Sequence, residues 1–136
     1  MKSFFTAALL LVFINSAPGQ NLIGYDYDDI VKYMKENRKD MSLNRVNNSK
    51  FRYLKYTDDS ENQTVLFFLG TDSICKSIRM ICDESSKNQR IKEFNSIYRK
   101  KGENRWIDTR QGVNYLIELK DEDWASVITM LPVNKN

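Results

Sequence analysis

The chain has 136 residues, 41% of them hydrophobic and 12% aromatic, with 21 basic and 18 acidic side chains, two cysteines and no histidine. That apolar payload suits one packed domain and excludes a disordered chain, and the near balance of charge argues against nucleic acid or another polyanion as partner. The missing histidine removes the Ser-His-Asp and Cys-His nucleophile systems, the usual general base and the commonest metal ligand.

Lys2 heads the chain, residues 4–14 are apolar apart from Thr6, and Ser16, Ala17 and Gly19 are small. This is the three-part pattern of a secretory signal peptide. The apolar run falls short of the about 20 residues a spanning helix needs. Residues 1–19 are therefore expected to be removed, with cleavage after Gly19 as first choice and after Ala17 as second. The first cysteine is Cys75, too far on for a lipid anchor at the cut. Residues 20–136 are then expected to form a single soluble α+β domain, in the periplasm or outside the cell, with no transmembrane segment.

Residues 20–24 read as a lead-in. Asp26 can cap a helix over 27–38, with Asp28 and Asp29 in its first turn. Ile30, Tyr33, Met34 and Asn37 fall on one face at helical spacing. Residues 41–50 are polar and read as loop, with room for a short strand at 43–46. Strands follow at 51–56, 65–69 and 74–82, joined by turn-rich stretches, as in an antiparallel meander. Asp58, Asp59 and Glu61 lie in one of those turns.

Cys75 and Cys82 fall on the last of these strands. Seven extended steps hold them about 23 Å apart, and a disulfide needs Cα atoms within about 7 Å. Both are expected to be reduced, Cys82 in the core with Ile78 and Met80, Cys75 on the other, more exposed face.

The period then changes. Ser86 and Gln89 have capping-box spacing, and Ile91, Phe94, Asn95 and Tyr98 form an inward stripe. The basic run Arg99, Lys100 and Lys101 is expected to close this second helix, with Gly102 as its stop. A short strand at 106–108, a turn at 110–112, a strand at 113–119, a turn at 121–123 and a last strand at 124–131 complete the chain. Five or six strands on two amphipathic helices result. A shift of about 61 residues lays Ile30 on Ile91 and Tyr33 on Phe94, and a shift of 62 lays Tyr53 and Leu54 on Tyr115 and Leu116. A duplicated helix-plus-hairpin unit, joined by residues 74–82, is one reading of this.

Catalytic signals are thin. The five glycines are scattered and form no phosphate loop, and no cofactor or metal set stands out. Asp121, Glu122 and Asp123 cluster in a turn, and the plain reading of such a cluster is solvation. Two segments match the glycosylation pattern, residues 47–49 and 62–64. Asn95, Tyr98 and Trp106 read either as a polar tie between helix and sheet or as the lining of a small-ligand groove. Arg99, Lys100 and Lys101 complement a helix C-terminus or meet an anionic partner.

The run FFLGTDSICKSIRMICD, then KEFNSIYRKKGENRWID and a closing DEDWASVITML, resembles small exported proteins of unknown function from Bacteroidota. The likeness runs from the first helix to Leu131. It implies a fold and an envelope or secreted location, names no mechanism, and makes the two glycosylation matches irrelevant. The function expected from all this is a non-catalytic exported binding or interaction module whose partner is a protein or an envelope component. The alternatives are a small carboxylate-based hydrolase and a small-molecule carrier.

Overall fold

The computed structural model describes residues 21–44, 52–60 and 62–133. The expected signal peptide and the first glycosylation match lie outside the described residues. The element order is α1 (Tyr27–Asn37), β1 (Met41–Asn44), β2 (Tyr53–Asp58), β3 (Gln63–Leu69), β4 (Cys75–Asp83), a 3-10 turn at Glu84–Ser86, α2 (Lys87–Ile97), β5 (Arg99–Gly102), β6 (Arg105–Arg110), β7 (Val113–Glu122) and β8 (Ala125–Pro132). The fold is α+β. Eight antiparallel strands form one sheet in the order β1-β2-β3-β4-β8-β7-β6-β5. The sequence leads to five or six strands; the edge strand β5 is not among them, and the other edge, β1, is read only as room for a short strand at 43–46 within a loop. Both are four residues long: β5 is polar throughout, and β1 offers only Met41 and Leu43 as an apolar alternation, too short to stand out from the polar stretch around it. β1 also begins two residues before the expected segment at 43–46.

The basic run is the larger correction. Arg99, Lys100 and Lys101 belong to β5, not to the end of α2. The helix stops at Ile97, and Tyr98 is already extended, at φ −118 and ψ 158. A two-residue turn then pairs Gly102 with Arg105, with Asn104 at φ 55. Asn is one of the few side chains at ease in that left-handed region, so Asn104 makes the hairpin possible.

Two cross-strand rows carry the core. The first runs Leu54, Phe67, Ile78, Met130, Ile117, Trp106 across six strands. The second runs Tyr56, Val65, Met80, Ile128, Leu119. All eleven are buried and share one cluster with Ile30 and Met34 of α1 and Phe94 of α2. Both helices therefore cover the same face. Burial of each large side chain contributes about 1.5–3 kcal/mol. The opposite face carries polar pairs, among them Arg79–Glu122 and a Glu118 shared by Arg105 and Lys120. Among the described residues no helix is long and apolar enough to cross a membrane.

Asp26 caps α1 as expected, its carboxylate accepting from the Asp29 amide at 2.9 Å. The capping box expected at Ser86 does not form: the Ser86 hydroxyl donates instead to the Asp83 carbonyl, closing the 3-10 turn. Cys75 and Cys82 are free thiols, and both are buried. The exposed position expected for Cys75 is wrong because β4 carries a bulge. Phe68 pairs with Ser77 and Leu69 with Cys75, which leaves Lys76 as the extra residue. That single insertion turns Cys75 onto the core face with Ile78.

The halves repeat one topology, a helix followed by four strands, related by a two-fold between β4 and β8. The repeating unit is larger than a helix plus hairpin. β4 belongs to the first unit rather than joining the two, and β2 corresponds to β6, not to β7.

Candidate functional site

The site begins in the segment that sequence reading leaves as a lead-in. Residues 21–26 form a strap laid over one corner of the sheet. Leu22 and Ile23 are buried, which gives the strap its apolar anchor. The Gly24 amide donates to the Cys75 carbonyl at 2.9 Å, and the Cys75 amide donates to the Tyr25 carbonyl at 2.8 Å. Gly24 has φ +94, which suits glycine and strains any side chain. Asn21 is 2% exposed. Its side-chain oxygen accepts from the Ile23 amide at 3.0 Å, and its nitrogen donates to Asp108 Oδ2 at 3.2 Å.

Asp108 and Arg110 sit two apart on β6, so they emerge on one face of the sheet. Arg110 is held on three sides. One terminal nitrogen donates to the Ile23 carbonyl at 3.4 Å, its Nε lies 3.9 Å from Asp108 Oδ2, and its guanidinium stacks 5.5 Å from the centre of the Tyr115 ring. The Nε is buried, and among the described residues it has no hydrogen-bond partner. The turn that follows is Gln111–Gly112, with φ 49 and 76, the two positive angles a two-residue hairpin needs.

Between strap and hairpin opens a cleft of about 530 Å³. Ile23, Gly24 and Tyr25 line it from the strap, and Arg110, Gln111, Val113 and Tyr115 line it from the hairpin. Among the described residues Arg110 is the one charged residue of this lining, and no carboxylate or thiol belongs to it. Asp108 lies outside it, occupied by Asn21 and adjoining Arg110.

Tyr98 adjoins this corner. Burial pushes its hydroxyl up to about 12, the negative charge of Asp108 adds to the rise, and Arg110 opposes it. The Cys75 thiol under the strap is likewise pushed up to about 12 by burial. Both groups stay protonated and uncharged at neutral pH, so neither serves as a base or an anionic nucleophile there. The arrangement can bind and orient a small molecule, with a cation at one end and apolar or aromatic surface at the other.

The residues singled out from sequence fall into two groups. Asn95, Tyr98 and Trp106 come together around α2. The Trp106 indole donates to the Asn95 side-chain oxygen at 2.9 Å, and the Phe94 ring stands between them, 5.2 Å from Trp106 and 5.6 Å from Tyr98. Trp106 is fully buried, while Asn95 is exposed rather than part of an inward stripe. Arg99, Lys100 and Lys101 are exposed on the edge strand β5. Asn21, Asp108, Arg110 and Tyr115 were missed. The signal for the last three appears once the strand is carried to Arg110: two charges at i and i+2 on a strand, opposite a strand that points an aromatic inward. Asn21 stands 87 residues from Asp108 and gave none.

The chain was compared with protein-family models, with curated proteins and with solved structures, and none of the three gives a match.

Proposed function

We propose that this chain is an exported, non-catalytic binding module that holds a small molecule in the Arg110 cleft without transforming it. The composition of the cleft carries the reading. Its volume lies within the roughly 300–1,000 Å³ of ligand sites, and its described lining joins aromatic and aliphatic side chains to Gly24, Gln111 and one fixed cation. A glycosidase-type hydrolase needs two carboxylates flanking the bond it breaks, and the lining offers none among the described residues. Export rests on the signal-peptide pattern of residues 1–19 and on the resemblance to small exported proteins of Bacteroidota.

A protein or envelope component meeting Arg99, Lys100 and Lys101 is the second reading. The exposure of all three on an edge strand supports it. The same lysines blunt a sheet edge against unwanted pairing, which explains them without a partner.

Amide-resolved NMR with mixed small acids, amides, amines and sugars tests the first reading. Shifts confined to Gly24, Tyr25, Gln111 and Val113, with every compound recovered unchanged, are expected. Turnover of a compound, or a response centred on β5, would overturn it.

A further inference from the structure

We infer that the cleft selects a small organic carboxylate with a flat apolar body, the carboxylate on Arg110 and the body against Tyr115 and Val113. This rests on the cleft's being a binding site and names the class of ligand. The guanidinium has five N–H donors. Among the described residues its one hydrogen bond is the long contact to the Ile23 carbonyl at 3.4 Å. Asp108 does not saturate it: the carboxylate stands 3.9 Å from Nε, and Oδ2 already accepts from Asn21. Donor capacity is therefore left over at a guanidinium that lines the cleft.

The guanidinium is also held before any ligand arrives. The Tyr115 ring and the Ile23 carbonyl hold it in place, so less side-chain freedom is lost on binding. A planar fork held in this way matches the two oxygens of a carboxylate. The charge count favours a monoanion. Among the described residues one cation lines the cleft, and a phosphate dianion would bring a second negative charge that none of them answers. Beside Gly24 and Gln111, the remaining described lining is Ile23, Val113 and two tyrosine rings, which offer a flat apolar body the surface that a free inorganic ion cannot use.

An amide NMR titration with benzoate, benzamide, benzylamine and inorganic phosphate decides the matter, using the protein and its Arg110→Gln and Arg110→Lys variants. Benzoate is expected to shift the Gly24 and Val113 amides saturably. Benzamide, nearly the same shape without the charge, should bind roughly tenfold or more weakly, the worth of a charge-assisted hydrogen bond. Benzylamine and phosphate should leave those amides in place. Arg110→Gln should lower benzoate to the level of benzamide, and Arg110→Lys should restore part of the difference. If Arg110→Gln fails to fold, the four ligands on the unaltered protein still decide. Equal binding of benzoate and benzamide would leave a binding cleft and overturn its preference for a carboxylate. Stronger binding of phosphate than of benzoate would overturn the flat apolar body. Silence from all four would overturn the inference outright.

Discussion

The two-fold of the fold sets two corners against each other. At one, the strap before α1 lies against the β6–β7 hairpin, with Arg110 bonded to the Ile23 carbonyl. At the other, the link before α2 lies against the β2–β3 hairpin, where the Asp83 amide donates to the Asn62 carbonyl. The backbone plan is the same, but the side chains at the two corners differ. At the second corner Gln63 is 8% exposed, accepts from Arg38 at 3.3 Å and reaches the Met80 sulfur. Arg38 there is spent on Asp40, in two bonds of 3.1 Å that hold the Asp40 carboxyl below its ordinary value. At the first corner the arginine keeps unused donors and borders empty space. The cleft is thus lined by residues particular to one corner.

The largest effect separates the halves at matched core positions. Trp106 and Leu54 end the same cross-strand row at opposite sides. Trp106→Ala should cost about 3–5 kcal/mol, and more than Leu54→Ala, because it empties the space of a larger, fully buried side chain and removes the ring contact with Phe94. Urea unfolding of the two variants measures the difference. Equal losses would mean that the aromatic corner packs no better than the aliphatic one.

Asn21→Ala acts on one corner alone. It removes the bond to Asp108 and the one from the Ile23 amide, and should cost about 1–3 kcal/mol. Hydrogen exchange should accelerate at the Gly24 and Cys75 amides, which tie the strap to β4, and leave the Asp83 amide of the matching corner unchanged. Faster exchange at both corners would mean that they open as one unit.

Alkaline pH probes the strap in another way. The buried Cys75 thiol titrates at about 12 when folded, against an ordinary value of 9.0. Below pH 9 folded and unfolded chains both keep the proton, and this group adds no pH dependence. Between 9 and 12 the unfolded chain releases a proton that the folded chain retains, so stability should fall as pH rises. Cys75→Ala should remove about one proton from that slope, read from unfolding midpoints across the range.

How much of this was legible follows from range and pattern. α1, the four long strands and the Gln111–Gly112 turn announce themselves through local period and local turn chemistry. The edge strands do not: β5 is four polar residues that resemble loop, and the Met41 and Leu43 alternation of β1 is too short to stand out. The face of Cys75 hinges on one bulged residue, Lys76, which no alternation count detects. Of the site, the Asp108 and Arg110 spacing becomes legible only once the strand is carried to Arg110; a strand at 106–108 and a turn at 110–112 separate the two. The contribution of residues 21–25 was beyond reach, because a buried Asn finds its partner only once the chain has folded.

Gln111 gives the smallest effect and the finest test of the hairpin. It is a side-chain-bearing residue at φ 49, so Gln111→Gly should raise stability by about 0.5–1 kcal/mol, read as a higher thermal midpoint. A loss instead would show that the Gln111 side chain makes contacts worth more than its backbone strain.

The most direct measurement is a crystal structure of the protein soaked with 4-bromobenzoate, located by the anomalous signal of bromine. One peak in the cleft between the strap and the β6–β7 hairpin, with the carboxylate on the Arg110 guanidinium, is the expected result. Bromine at the Gln63 corner, on the open face of the sheet or along β5, with the Arg110 cleft empty, would contradict it.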